Sequence, residues 1–221
     1  ALRADHTVVS WDFLGAMQTI TSPAFADLAA MAAGGKHSLA LTADGRVIAW
    51  GDPWYGKTNV PPDVTNILAI AAGSEHSLAL RWDGTVVAWG RSQYGQTNVP
   101  AALANVLAIS AGGSHNLALR SDGRVFAWGY NRDGQTNVPP TLQNVVAVSA
   151  GSRHSLALTA DGTVVAWGDG EQLQTKVPPG LREVIAIDAG GSYSVHSMAL
   201  SRDEKLVVWG AGHEGEADLA R

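Results

Sequence analysis

Histidines recur along this chain at an almost constant interval, and histidine is a side chain often used for metal binding and for proton transfer near neutral pH. Five of them are separated by 39, 39, 39 and 42 residues: His37, His76, His115, His154 and His196. Metal ligands must converge on one ion at about 2 Å, whereas equivalent positions of successive repeats lie in separate structural units. We therefore predict no metal site and no cofactor, and expect each imidazole to hydrogen-bond the backbone where its strand begins.

Other patterns that look catalytic are better explained by turns and buried repeats. Asp-Gly pairs begin at Asp44, Asp83, Asp122 and Asp161, and Asp-Gly is a strong signal for a tight turn between two strands. The segment GAGHEG matches a dinucleotide-binding pattern, but no helical pattern follows it to hold a phosphate. The chain has no cysteine, and the serines of its HSLAL segments lack a matched base and acid. The sequence predicts a protein that is not an enzyme and has no catalytic residue.

The overall composition excludes two classes of partner. The chain has 221 residues, 46% of them apolar, with 25 glycines and a formal net charge of −5. Its 15 basic side chains form no patch that could neutralise phosphates, so we expect no nucleic-acid partner. No apolar run approaches the ~20 residues of a membrane-spanning helix, so we expect no membrane insertion.

The elements that carry these residues follow the same period. Six tryptophans keep it: Trp11, Trp50, Trp89, Trp128, Trp167 and Trp209. Each unit contains an apolar run such as NVVAVSA (strand A), then HSLAL (strand B), an Asp-Gly turn, TVVAW (strand C), a loop, and TNVP (segment D). Three or four short antiparallel strands every ~40 residues are typical of a propeller blade. We predict an all-β propeller forming a single domain over residues 1–221, with each tryptophan wedged between neighbouring sheets.

The repeated phrase AGxxHSLALxxDGxVxAWG, followed by YGQTNVP, resembles the regulator of chromosome condensation repeat in its compact bacterial form. The resemblance extends over nearly the whole chain, and it implies a propeller that binds a protein partner through loops on one face. The family includes a secreted bacterial inhibitor of β-lactamases, which implies an extracellular or cell-surface location. It also includes nucleotide-exchange factors, although no residue here argues for exchange activity.

The number of blades is left open by the sequence. About six units are present, with partial first and last repeats, and the ring closes either as six blades or as part of a seven-bladed ring. If one chain does not close the ring, we expect self-association. The end units are atypical, as terminal repeats of arrays often are.

One face of the disc carries most of the variation between repeats. Successive turns of an antiparallel meander fall at opposite ends of the sheet, so the A→B and C→D turns share one face and the Asp-Gly turns occupy the other. We predict protein binding on the first face, where tryptophan, tyrosine and arginine commonly supply most of the binding energy. The candidate residues are Lys36, Glu75, Arg153 and Tyr193 in the A→B turns, and Trp54, Tyr55, Tyr94, Tyr130 and Arg132 in the C→D turns.

Four alternatives stay open at this stage. Tyr55 and Tyr94 share one repeat position before a glycine, so they could pack the loop rather than contact a partner. The face could inhibit a secreted hydrolase such as a β-lactamase. The propeller could also bind carbohydrate, with Trp54 or Trp82 as a stacking platform, or serve as an architectural element of a surface assembly.

Overall fold

A computed structural model of the chain describes residues 8–11, 17–20, 27–190 and 195–211. The strands are β1 (Val8–Trp11), β2 (Met17–Ile20), β3 (Leu28–Ala33), β4 (His37–Thr42), β5 (Val47–Gly51), β6 (Ile67–Ala72), β7 (His76–Arg81), β8 (Val86–Gly90), β9 (Val106–Ala111), β10 (His115–Arg120), β11 (Val125–Gly129), β12 (Val145–Ala150), β13 (His154–Thr159), β14 (Val164–Gly168), β15 (Val184–Asp188), β16 (Val195–Ser201) and β17 (Leu206–Ala211). One 3₁₀ turn spans Trp54–Gly56.

The strands form blades of a β-propeller, as the period predicts. β3 to β17 make five antiparallel three-stranded sheets in sequence order, and β1 pairs with β2. Strands A of neighbouring sheets contact one another, and each strand B from β4 to β13 contacts strand A of the next sheet. Strand A is therefore the innermost strand of each blade, and strand C lies towards the rim.

Of the three or four strands expected per blade, each described blade from β3 to β17 has three, and TNVP does not form a fourth. TNVP forms turns rather than a ladder, for example through the bond from Val60 N to Thr58 O at 3.1 Å. The prolines that follow cannot donate to a neighbouring strand. Instead, the valine of each TNVP or TKVP segment packs against a core cluster between two blades: Val60, Val99, Val138 and Val177.

The hydrophobic core is divided into clusters between blades. In one cluster, Leu78 and Leu80 of β7 pack against Val106, Ala118 and Trp128 of the next blade. Strand B alternates large and small residues, so its leucines fill the following interface and its alanine faces the preceding one. A single blade cannot bury both of its faces, and the neighbours on each side supply the missing contacts.

The Asp-Gly hairpins have a three-residue loop. Gly84 N bonds Arg81 O at 3.0 Å and Arg81 N bonds Thr85 O at 2.9 Å. Gly84 adopts φ +77°, a left-handed conformation that glycine reaches without steric cost. The exposed Trp82 lies in this loop, on the face predicted to carry the Asp-Gly turns.

Candidate functional site

The structure brings the A→B turns and the C→D loops together at one end of the blades. Within each blade, the first residue of the C→D loop donates its backbone N–H to the last residue of the A→B turn, as in Arg91 N to Glu75 O at 2.9 Å and Tyr130 N to Ser114 O at 2.9 Å. Between blades, A→B turns are also bonded, as in Ser74 N to Gly112 O at 3.3 Å. The variable positions therefore sit on a continuous hydrogen-bonded backbone frame.

This frame requires glycine where adjacent blades approach most closely. A Cβ atom at Gly112 would lie 2.3 Å from Gly151 O and 2.6 Å from His115 Cε1. Both contacts are shorter than real Cβ atoms tolerate, so the glycine allows the next blade and the histidine ring to share this space.

Trp54 is the most exposed of the large apolar side chains on this face, with 72% of its surface accessible. Its backbone is nevertheless fixed from beneath. Trp54 N donates to Asp52 Oδ1 at 3.0 Å, and Trp54 O accepts from Lys57 Nζ at 3.2 Å. The backbone on both sides of this exposed indole is therefore held in place by side chains of its own loop.

Lys57 anchors this loop, and its side chain is fully buried. Nζ lies 2.5 Å from Glu75 Oε2 and 3.1 Å from Asp52 Oδ2. Burial disfavours the charged ammonium, but the hydrogen bonds that it donates to Glu75 and Asp52 outweigh this effect and raise the pKa of Lys57. Lys57 thus connects the candidate residues Trp54 and Glu75.

Lys57 was not among the residues predicted from the sequence, although a signal was present. The repeated phrase YGQTNV reads YGKTNV at this position. In the three following loops the glutamine Oε1 accepts a backbone N–H from two residues earlier, as in Tyr94 N to Gln96 Oε1 at 2.9 Å. The lysine reaches further and gathers two carboxylates, so this loop is held differently from the others.

Tyrosines from three successive loops form a ridge with Arg91. The Arg91 guanidinium lies 4.8 Å from the centre of the Tyr55 ring and 6.0 Å from that of Tyr94. The rings of Tyr94 and Tyr130 meet edge to face at 4.7 Å. Tyr55 and Tyr94 remain 55% and 43% exposed, so they pack against their neighbours and also face solvent.

The remaining candidates divide into paired and unpaired charges. Arg153 binds both oxygens of Asp133, at 2.9 and 3.1 Å, and lies 3.6 Å from Asp169. The hydrogen bonds that Arg153 donates to Asp133 raise the pKa of its guanidinium. Lys36 and Arg132 are exposed, and no salt bridge within the described residues includes them. Tyr193 lies outside the described residues.

The recurring histidines lie directly beneath this face, and their predicted backbone partner is wrong. In four of the five, the Nε2 atom bonds a side chain of the next blade: His37 to Ser77 at 2.9 Å, His76 to Asn116 at 2.7 Å, His115 to Ser155 at 2.9 Å and His154 to Ser197 at 2.9 Å. These four rings are buried. Among the described residues, no group of three histidine, aspartate or glutamate side chains is arranged to hold a metal ion.

Each of these four histidines begins a buried chain of hydrogen bonds, the relay, that ends on a tryptophan of the next blade. Ser77 Oγ donates to Lys57 O at 3.0 Å, and Trp89 Nε1 donates to the same oxygen at 2.9 Å. Because the serine hydrogen is used in this bond, His37 Nε2 must carry the proton and donate to Ser77. The tryptophan packed between blades is therefore also a hydrogen-bond donor, a role that was not predicted from the sequence.

The relay keeps the imidazoles neutral. Nδ1 of His37, His76 and His115 is buried without a hydrogen-bond partner, so a second proton would be held there without compensation. Burial lowers the pKa of His37, His76 and His154 to about 4 and that of His115 to about 3. Their side-chain hydrogen bonds to the next blade show that these buried histidines join blades.

No described helix is long and apolar enough to cross a membrane.

Four segments of the chain match the sequence model of the Regulator of chromosome condensation (RCC1) repeat: residues 29–56, 67–96, 106–135 and 145–174. Together they cover more than half of the chain. Each runs from strand A through strand C into the loop that ends at Lys57 or at the equivalent glutamine. No curated protein matches the chain in sequence.

Solved structures share the fold. Prp20p from Saccharomyces cerevisiae, described with its binding to Gsp1p and histones, is 22% identical with a TM-score of 0.78; 95% of this chain and 68% of that chain are covered. Human WBSCR16 is 20% identical, with a TM-score of 0.72 and coverage of 89% and 64%. The ectodomain of the Physcomitrella patens receptor kinase CR4 is 27% identical, with a TM-score of 0.68 and coverage of 86% and 53%. The chain thus spans less than two thirds of the human and Physcomitrella proteins.

Proposed function

Because this chain belongs to the regulator of chromosome condensation (RCC1) repeat family, we propose that it is a non-enzymatic protein-binding propeller. Its recognition face consists of the A→B turns and C→D loops, with Trp54, Tyr55, Tyr94 and Tyr130 as contact residues. The single observation that carries the proposal is the exposed Trp54 on a backbone clamped by the buried Lys57.

Two features of this face support protein binding. Exposed tryptophan, tyrosine and arginine are the residue types that most often supply interface energy, and the Tyr55–Arg91–Tyr94–Tyr130 ridge adjoins the Trp54 loop. The side chains are also held by their neighbours, which lowers the entropy lost on docking. A stable complex would bury about 800 Å² on this partner, an area that spans several adjacent loops.

The experiment uses two tryptophans of nearly equal exposure on opposite faces. Trp54 is 72% exposed and Trp82 is 70% exposed. The wild-type chain and its Trp54→Ala and Trp82→Ala variants are immobilised and used to capture partners, which are then purified and measured by calorimetry. We expect Trp54→Ala to weaken binding by at least tenfold, or about 1.4 kcal/mol, and Trp82→Ala to leave it unchanged.

The opposite pattern would contradict the proposed face. Equal capture by both variants would place recognition elsewhere, and loss with Trp82→Ala alone would place it on the Asp-Gly face. Urea unfolding of both variants serves as the folding control, because each side chain is largely in solvent.

Inhibition of a secreted hydrolase such as a β-lactamase is a special case of this proposal and would place the protein outside the cell. A panel of hydrolases assayed with the purified chain tests it. The carbohydrate alternative requires similar platforms in several blades. The positions equivalent to Trp54 hold Gln93, Arg132 and Glu171, which supports protein binding over repeated sugar sites.

A further inference from the structure

The charges of the recognition face are distributed unevenly. Four of its carboxylates point onto two cations, with Asp52 and Glu75 around Lys57 and Asp133 and Asp169 around Arg153. These carboxylates are already engaged within the protein. These four acidic side chains are thereby turned inward, whereas Glu171 of the same face is exposed and the whole chain carries a net charge of −5.

The central cation of the ridge is arranged differently. Arg91 lies between the rings of Tyr55 and Tyr94, and one of its terminal nitrogens donates to Gln93 Oε1. None of the salt bridges within the described residues involves Arg91. A guanidinium has five donors in a planar fork, so most of its hydrogen-bonding capacity is left for a ligand. The two tyrosines hold the plane of the fork, which favours bidentate recognition of a carboxylate.

We propose that the ridge binds an acidic segment of a partner protein, with Arg91 receiving a carboxylate and the flanking tyrosines packing against the segment. This inference rests on the proposed function and names the chemistry of its partner. Arg132, exposed in the next loop without a salt bridge among the described residues, adds a second positive charge beside the ridge. The positive ridge on an acidic chain gives the charge complementarity that orients such a segment.

Charge also favours a protein over a nucleic acid as the polyanion. Two free arginines can neutralise few phosphates, and the net charge of −5 repels a long polyanion. A short acidic segment carries enough negative charge for Arg91 and Arg132 without that repulsion.

The test is selection from a random displayed peptide library on four immobilised proteins: the wild type, Arg91→Gln, Arg91→Lys and Arg124→Gln. Arg124 is an exposed arginine beside an Asp-Gly turn on the opposite face, so its variant is the matched control. We expect the wild type and Arg124→Gln to enrich peptides containing aspartate or glutamate, and Arg91→Gln to lose that enrichment. Arg91→Lys keeps the charge without the fork, and we expect it to recover only part of the enrichment.

The best acidic peptide is then synthesised with its amide counterpart, in which glutamine and asparagine replace the acids. Fluorescence polarisation should give about tenfold weaker binding for the amide peptide and for Arg91→Gln. Raising NaCl from about 50 to about 300 mM should weaken the acidic peptide several-fold, because exposed charge pairs are screened.

Several outcomes would overturn the inference: no selected peptide, selected peptides without acidic enrichment, equal binding to Arg91→Gln, or tighter binding of a single-stranded oligothymidine than of the acidic peptide. If non-acidic peptides bind and depend on Trp54, the proposed function stands and only this inference fails. If selected peptides depend on neither Trp54 nor Arg91, both fail.

Discussion

Mild acid should loosen the joints between the blades before it affects the carboxylates. Burial holds the pKa of His37, His76, His115 and His154 well below its ordinary value of 6.5. Between pH 6.5 and about 4 the unfolded chain therefore binds protons at these positions and the folded chain does not. Stability is complete above pH 6.5 and falls as the pH decreases through this window.

The size of this loss of stability follows from how far the histidine pKa values are lowered. Each histidine contributes about 1.4 kcal/mol per pH unit below its unfolded pKa, so at pH 5 each costs about 2 kcal/mol. Four such residues together approach about 8 kcal/mol, which is comparable to the whole stability of an ordinary domain. The shifted aspartates (Asp44, Asp52, Asp83, Asp161 and Asp203) have pKa values below 3.8, so they affect stability only at lower pH.

The assay is urea unfolding followed by tryptophan fluorescence at a series of pH values from about 7 to about 5. We expect the unfolding free energy to fall steeply between pH 6.5 and 5. His76→Gln leaves a polar side chain facing Asn116 and removes one titrating group, so we expect the slope to decrease by about 1.4 kcal/mol per pH unit. A flat profile, or an unchanged slope in the variant, would refute the assignment of neutral histidines to the relay.

Three further predictions concern the packing that supports the face. Lys57→Ala should cost roughly 2–3 kcal/mol, below the range for fully buried pairs because the two carboxylates are 21% and 25% exposed. Lys57→Gln with Glu75→Ser, the residues of the next repeat, should recover most of that loss in the same urea assay. Gly112→Ala should cost more than Gly180→Ala by at least about 1–3 kcal/mol, because Gly180 has φ +85° but nothing within 4 Å of its Cβ position. Trp128→Phe should cost about 1 kcal/mol in addition to lost packing, since its Nε1 bond to Gln96 O is removed.

The results that contradict these expectations are distinct. Equal stabilities of Lys57→Ala and the double variant would show that the carboxylates need no cation. Equal melting temperatures for the two glycine variants would show that the adjacent blade yields easily. A Trp128→Phe variant as stable as the wild type would show that the indole contributes packing only and that its hydrogen bond adds no stability.

The sequence predicted the blades and the tryptophans packed between them. It did not predict the side-chain hydrogen bonds that join one blade to the next. The periodic Trp89 and its equivalents indicated blades, because only neighbouring sheets can bury them. The partner of His76 could not be predicted, because Asn116 lies 40 residues away and in another sheet. Strand pattern alone does not specify which side chains of adjacent blades meet.

The candidate face was predictable in outline for a similar reason. Turn order in a meander determines which loops share an end, so Trp54 and Glu75 could be assigned to one face. Their connection through Lys57 could not, because a lysine in a loop is ordinarily solvated and its burial depends on two carboxylates from different turns. The sequence left three or four strands per blade open; the valine of TNVP packs against the core without joining a ladder, so each described blade has three.

The uniform relay also bears on how such an array can change its length. His76 meets Asn116 and His115 meets Ser155, and either acceptor passes its own hydrogen to a loop carbonyl. If recombination removed the repeat that contains His115, His76 would come to lie beside Ser155 with a compatible donor and acceptor. Duplication would preserve the same match. The histidine contact between blades is therefore interchangeable. A lineage can gain or lose a blade and still keep a matched donor and acceptor between the new neighbours.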